Sequence, residues 1–104
     1  MLIQINYSNI DKSDSLEKQA RDEVTNKLGH LTERLTRVEI HLYDDSSPTK
    51  QTPGDKRCLI EARPKGMKPL VVEETGDDFF KVVSGAASKL ARSVQKTIDR
   101  HTAK

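Results

Sequence analysis

The stretch GDDFFKVVSGAASKLARSVQKTIDR, residues 76–100, has the most regular pattern in this sequence of 104 residues. Six of its apolar side chains recur at intervals of three or four residues: Phe80, Val83, Ala87, Leu90, Val94 and Ile98. Helical geometry places such residues on one face, so we predict a long amphipathic helix that buries this face. Asp77 and Asp78 precede it, where a carboxylate interacts favourably with the positive end of the helix dipole.

The same stretch carries a row of positive charge. Its four cations are separated by three, four and four residues and therefore lie on one stripe: Lys89, Arg92, Lys96 and Arg100. From residue 80 onward, six basic residues stand against one acid, which gives a charge of +5 and leaves −3 for the first 79 residues. A solvated face is the ordinary explanation for a charged stripe, but a stripe that acids do not relieve favours an anionic partner.

Residues 2–35 predict a strand followed by a helix. The segment LIQINY, residues 2–7, alternates apolar and polar side chains, as in a strand with one buried face. Ser13 or Asp14 is placed to cap a helix that begins near Ser15. We predict a helix of about five turns, with Gly29 as a weak point, because its apolar residues keep helical spacing. These residues are Leu16, Ala20, Val24, Leu28, Leu31 and Leu35.

The middle of the chain predicts three further strands. Residues 37–43 and 57–63 alternate with period two, and residues 70–75 form a shorter strand. Residues 44–55 contain two prolines, one glycine and no apolar side chain, so we interpret them as an exposed loop, and residues 64–69 turn the chain. The predicted order is β-α-β-β-β-α, an α+β fold in which a four-stranded mixed sheet carries both helices on one face.

Composition limits the chain to one small domain, residues 1–104. Hydrophobic residues make up 34% and charged residues 33%, so the core must be small. The sequence shows neither a membrane-spanning stretch nor a secretory signal, and a cytoplasmic location is the default expectation. Cys58 is the only cysteine, which excludes an internal disulfide, and we expect it to be a small buried side chain.

The predicted first helix carries a second, looser basic set, diluted by carboxylates: Arg21, Lys27, His30 and Arg34. If the two helices pack side by side, their basic stripes line a groove suited to the phosphates that flank an RNA groove. Because the sequence has only two tyrosines, two phenylalanines and no tryptophan, single-strand binding by base stacking is disfavoured.

The residue pattern gives little support for enzymatic chemistry. There is no glycine-rich phosphate loop and no HExxH motif, and His30, His41 and His101 fall on three separate predicted elements. Cys58 has no neighbouring base, and burial would raise the pKa of its thiol. We therefore predict no catalytic residue, no metal site and no cofactor.

Residues 76–96 resemble the Gly-x-Asp-aromatic segment and the following helix of the ribosome hibernation-promoting factor family, also called ribosome-associated translation inhibitors. The helix pattern, Lys-Leu-x-Arg-x-x-x-Lys, is matched here by Lys89, Leu90, Arg92 and Lys96. Residues 20–42 are similar to the family's first helix and second strand. Basic residues common in the family are matched by Arg21, Lys27 and Arg37, and His30 stands where lysine is common.

The resemblance covers nearly the whole chain and implies a non-enzymatic ribosome-binding domain, similar in shape to double-stranded RNA-binding domains. In the family, such a domain contacts rRNA of the small ribosomal subunit in the channel used by mRNA and tRNA, and silences idle ribosomes under stress and in stationary phase. Together, the basic stripes and the resemblance predict these RNA-binding residues: Arg21, Lys27, His30, Arg34, Arg37, Lys89, Arg92, Lys96 and Arg100. Because the chain stops at Lys104, it looks like a short, monomeric member that would need a separate protein to pair ribosomes.

Two other functions stay open at the level of sequence. A protein-interaction module would use the open face of the sheet, with Glu39, His41, Tyr43, Arg57 and Leu59. A general double-stranded RNA binder would use the same basic surface but bind any A-form duplex with comparable affinity. Survival of the complex after nuclease digestion would indicate the first, and displacement by naked duplex RNA the second.

Overall fold

The predicted order of helices and strands is confirmed in the computed structural model, which describes residues 1–45 and 55–102. The strands are β1 (Leu2–Ser8), β2 (Leu35–Asp44), β3 (Lys56–Pro64) and β4 (Leu70–Gly76). The helices are α1 (Asp14–Leu28) and α2 (Phe79–Thr102), and a 3-10 helix, Gly29–Arg34, follows α1. The predicted loop between β2 and β3 falls mostly on residues 46–54, outside the described residues.

The four strands form one sheet in the order β1-β2-β3-β4. β1 and β2 are parallel, which requires a crossover connection, and α1 supplies it. The other neighbouring pairs are antiparallel. The sheet is therefore mixed, as predicted, and α1 and α2 pack on the same face of it.

The core lies between this face and the two helices. Alternate residues of β2 and β3 point into it and pair across the strands: Val38 with Ala62, Ile40 with Ile60, and Leu42 with Cys58. The helices contribute one stripe each, and none of the buried residues in the described ranges is polar or charged. Every charged side chain in those ranges is therefore at least partly exposed to solvent.

The first helix is shorter than predicted. Ser13 is its N-cap, with its hydroxyl accepting from the Leu16 N–H at 3.3 Å. α1 ends at Leu28 because Gly29 adopts a positive φ of 55°, which a residue with a side chain rarely adopts. The chain continues as the 3-10 helix, from which Leu31 still reaches the core, while Leu35 already belongs to β2. The prediction of one helix of about five turns is therefore wrong.

The assignment of Phe80 to the core is also wrong. Phe80 is 47% exposed, whereas Phe79 packs against the core. The reason is helical phase: Phe79 precedes Val83 by four residues on the buried face, and Phe80 precedes Ser84 by four on the flank that faces α1. Either residue satisfies a three-or-four spacing in the sequence.

Candidate nucleic-acid interface

The helices α1 and α2 lie side by side and run in the same direction. The Gln19 amide donates to the Phe80 carbonyl oxygen at 2.8 Å, and one turn further along each helix Ser84 donates to Glu23 at 3.3 Å. Another turn on, Lys27 Nζ donates to Ser88 Oγ at 2.7 Å. Because contacts advance together along both helices, their N-terminal ends lie at one end of the sheet and their C-terminal ends at the other.

This arrangement separates charge along the molecule. Acids gather around the two helix N-termini: Asp11, Asp14, Glu17, Asp77 and Asp78. Basic residues gather toward the two C-termini, which we call the basic end and which also holds the acids Glu33 and Asp99: Lys27, His30, Arg34, Lys96, Arg100 and His101. The charges within the first or last turn, Asp14, Glu17, Lys27 and Arg100, complement the adjacent helix dipole, which is an effect of roughly 0.3–1 kcal/mol per charge. The basic end also concentrates the positive field on a surface that a polyanion can reach.

The outer face of α2 carries the most accessible part of this field. Arg92, Lys96 and Arg100 are exposed, and no carboxylate of the described ranges lies within 4.0 Å of their charged nitrogens. Asp99, on the same face, accepts a hydrogen bond from the Gln95 amide at 2.8 Å. These three cations form what we call the α2 row, and they are spaced by one helical turn, about 6 Å along the axis.

Lys27 has a different environment from the α2 row. Its ammonium group lies between the helices, 3.0 Å from Glu23 Oε2, and donates to Ser84 Oγ at 3.0 Å and Ser88 Oγ at 2.7 Å. It therefore joins α1 to α2 as well as adding charge. The two serines are not recognisable as its partners from the sequence, although their spacing of four residues indicates a polar helix flank.

Lys89 is also engaged within the chain. Its ammonium group donates to the Glu73 carbonyl oxygen at 2.9 Å and lies 3.1 Å from the Glu74 carboxylate. Glu74 points to the helix side of β4 and packs against Gly85, where a Cβ atom would collide with the carboxylate. This contact explains an acidic residue on the core side of an edge strand, and it offsets the charge of Lys89.

Two predicted residues lie away from the outer helix surface. Arg21 faces β1, where its guanidinium donates to the Ile3 carbonyl oxygen at 3.1 Å. Arg37 lies on the open face of the sheet, opposite the helices, with Gln4 and, at 2.6 Å, Glu39 as its partners. By contrast, His30 and Arg34 are exposed on the 3-10 helix at the basic end. His30 and Arg34 thus lie beyond the C-terminal end of α1, while the α2 row lies on the exposed face of α2.

The open face of the sheet carries mainly polar side chains together with Leu2, Leu59 and Val71, and its charges are largely paired with one another. Arg57 stacks over Tyr43, with the guanidinium carbon 4.0 Å from the ring centroid, and lies 3.0 Å from Asp45 and 3.4 Å from Glu73. His41 stacks beside Tyr43 at a centroid distance of 6.3 Å. A protein partner on this face would have to displace or share these contacts.

Cys58 lies on the other face of β3, fully buried in the core. Burial raises the pKa of its thiol to about 12, with a smaller contribution from the Glu74 charge. Across residues 1–45 and 55–102, no group of three His, Cys, Asp or Glu side chains is placed to hold a metal ion. Neither α1 nor α2 is long and apolar enough to span a membrane.

Comparison with known proteins identifies the family. The family model for sigma 54 modulation protein / S30EA ribosomal protein matches residues 3–102. The chain belongs to this family. Family membership confirms the resemblance described above and indicates a ribosome-associated protein. No curated protein matches the sequence significantly.

Two solved structures show that the fold is shared. A ribosomal subunit interface protein from Coxiella burnetii is 16% identical, with a TM-score of 0.77 over 93% of this chain and 97% of that one. The N-terminal domain of Protein Y from Thermus thermophilus is 17% identical, with a TM-score of 0.71 over 93% of this chain and 99% of that one. At these identities the likeness concerns the fold, and the interface has to be argued from this chain's own residues.

Proposed function

We propose that the chain is a translation inhibitor that binds rRNA of the small ribosomal subunit through the outer surface of its helices. It would occupy the channel used by mRNA and tRNA and so silence idle cytoplasmic ribosomes under stress. The observation that carries this proposal is the α2 row: Arg92, Lys96 and Arg100 are exposed and without a carboxylate partner in the described part of a ribosome-associated chain. His30 and Arg34 extend the surface toward α1.

Two properties of this surface fit the phosphates of folded RNA. Its cations are spaced along a rigid helix, so they can follow one edge of a groove. Its aromatic content is low: among the exposed large hydrophobic residues that the structure describes, only Phe80 is aromatic, and Phe80 lies near the opposite, N-terminal end of α2. Shape and charge would therefore supply the affinity, and binding would block the channel sterically, without catalysis.

The proposal is tested by co-sedimentation with purified small subunits from about 50 to 200 mM salt. If about four phosphates are neutralised, log affinity should fall with log salt with a slope of roughly −3. An excess of naked duplex RNA should leave the complex intact, since a ribosomal site has a specific shape. A slope near zero would contradict the electrostatic interface, and displacement by any duplex would indicate a general double-stranded RNA binder.

The substitution Glu74→Gln is expected to strengthen binding about two- to fivefold. It removes the carboxylate that offsets the charge of Lys89 and keeps a side chain of the same size against Gly85. Glu61→Gln is the matched control, because Glu61 pairs with Arg63 at 2.9 Å on β3, on the face away from the helices. Equal gains from both variants would mean that only net charge matters, and no gain from Glu74→Gln would place Lys89 outside the interface.

A further inference from the structure

A second group of cations lies at the basic end, on the turn that joins β3 to β4. Residues 64–69 read PKGMKP and contain two lysines and no acid. Lys65 and Lys68 are both exposed, and within the described ranges no carboxylate lies within 4.0 Å of either ammonium group. The sequence pattern predicts only that this segment turns the chain.

The turn is held firmly in place. Pro64 and Pro69 restrict the backbone at its two ends, and Gly66 adopts the positive φ of 71° that the bend needs. The Met67 N–H donates to the Pro64 carbonyl oxygen at 3.3 Å, and the Met67 side chain packs against the core. Lys65 and Lys68 therefore project from a backbone that is already ordered before any partner binds.

The same turn contacts the ends of both helical segments. The Lys65 N–H donates to the Arg34 carbonyl oxygen at 2.9 Å, which ties the turn to the end of the 3-10 helix. Residues 67–70 also line a shallow cleft together with Thr97, Arg100 and His101 of α2. Four cations are consequently grouped around this end of the sheet, and we call them the turn cluster: Arg34, Lys65, Lys68 and Arg100.

Helix stabilisation explains only half of the turn cluster. Arg34 and Arg100 lie near helix C-termini, where a cation offsets the negative end of the dipole. Lys65 and Lys68 lie on a strand connection, which has no comparable dipole, and their mutual repulsion is not relieved by a paired carboxylate. Asp99, the acid next to Arg100, already accepts from Gln95.

We propose that the turn cluster is a second phosphate-binding site. It binds the sugar-phosphate backbone of folded RNA next to the RNA segment that the α2 row contacts. The cations are exposed around an open cleft, so they suit a backbone of repeated phosphates better than one enclosed small anion. The site deepens the proposed function and rests on it. Two of its four cations lie on the turn between β3 and β4, so the site extends the RNA-binding surface beyond the helices.

The test compares Lys65→Ala/Lys68→Ala with the wild-type chain in the sedimentation assay on small subunits. We expect an affinity loss of about five- to tenfold near 150 mM salt and a reduction of roughly 1.5 in the salt slope. The matched control is Lys12→Ala/Lys18→Ala, which removes two exposed charges near the N-terminus of α1, at the far end of the helices. Circular dichroism and thermal melting verify that both variants fold.

Each outcome separates the turn cluster from the proposed function. Wild-type binding with an unchanged Lys65→Ala/Lys68→Ala variant would overturn the turn cluster and leave the helical interface standing. Equal losses in the variant and its control would also overturn it, because net charge alone would then account for the effect. A wild-type chain that fails to bind small subunits would remove the proposed function, and the turn cluster with it.

Discussion

Replacing Arg92 and Lys96 by glutamate is expected to weaken binding to small ribosomal subunits by about two orders of magnitude. Each replacement removes a phosphate contact and adds a repulsive charge in the α2 row. The two replacements together should therefore change the slope of log affinity against log salt as much as the loss of roughly four positive charges. Both side chains are exposed and lie outside the core, so the fold should persist. Co-sedimentation across a salt series measures the loss, and circular dichroism verifies the helix content.

The control for this variant is Lys12→Glu/Lys18→Glu, which changes the net charge by the same amount near the other end of the helices. Lys18 lies 2.6 Å from Asp22 on the exposed side of α1, so its reversal exchanges an attractive pair for a repulsive one where solvent screens both, and the fold should persist. We expect a loss of less than about fivefold, from long-range charge alone. If this control loses as much affinity as Arg92→Glu/Lys96→Glu, the α2 row is not the contact surface.

The second large effect is expected from Leu90→Ala, which should lower the free energy of unfolding by about 2–5 kcal/mol. Leu90 is fully buried at the middle of the α2 stripe, where the helix packs on the sheet. In a small and highly charged domain, such a loss is a large part of the total stability. Urea denaturation followed by circular dichroism measures it, and the thermal midpoint should fall by more than about 10 °C.

Lys81→Ala is the matched change for Leu90→Ala, because Lys81 is exposed on the first turns of the same helix. Its effect should stay within about 0.5 kcal/mol. A loss below about 1 kcal/mol for Leu90→Ala would show that neighbouring side chains close the cavity and that α2 is not tightly packed. At a temperature where the variant remains folded, its affinity for small subunits should match the wild type, since Leu90 contacts no partner.

The order of strands and helices could be predicted because the spacing of apolar residues repeats several times within each strand or helix. Strand residues such as Ile40 and Leu42 alternate with polar ones, and the α2 stripe from Val83 to Ile98 repeats every three or four residues. Where two adjacent residues fit the same spacing, as Phe79 and Phe80 do, the phase stayed ambiguous. The break in α1 depends on one backbone conformation, at Gly29, that composition alone does not reveal.

The candidate site, like the fold, could be predicted only in part. The spacing of Arg92, Lys96 and Arg100 predicts one exposed stripe without any knowledge of the partner elements, since a helix brings residues four apart into line. Arg37 shows the limit of a family resemblance, because alternation with the buried Val38 already indicated the opposite face of the strand. The resemblance indicated that this position is basic, but it did not indicate on which face of the sheet the side chain lies.

Local patterns in the sequence predict the order of elements, most of the buried residues of each element and the cations on α2, because each pattern depends on neighbours within a few residues. Tertiary packing determines which cations are engaged within the chain: Lys89 contacts Glu74, fifteen positions away, and Lys27 contacts Ser88, sixty-one positions away. It also brought the β3–β4 turn to the ends of both helical segments. Contacts between distant segments arise from how a sheet and two helices pack, and no local spacing encodes them.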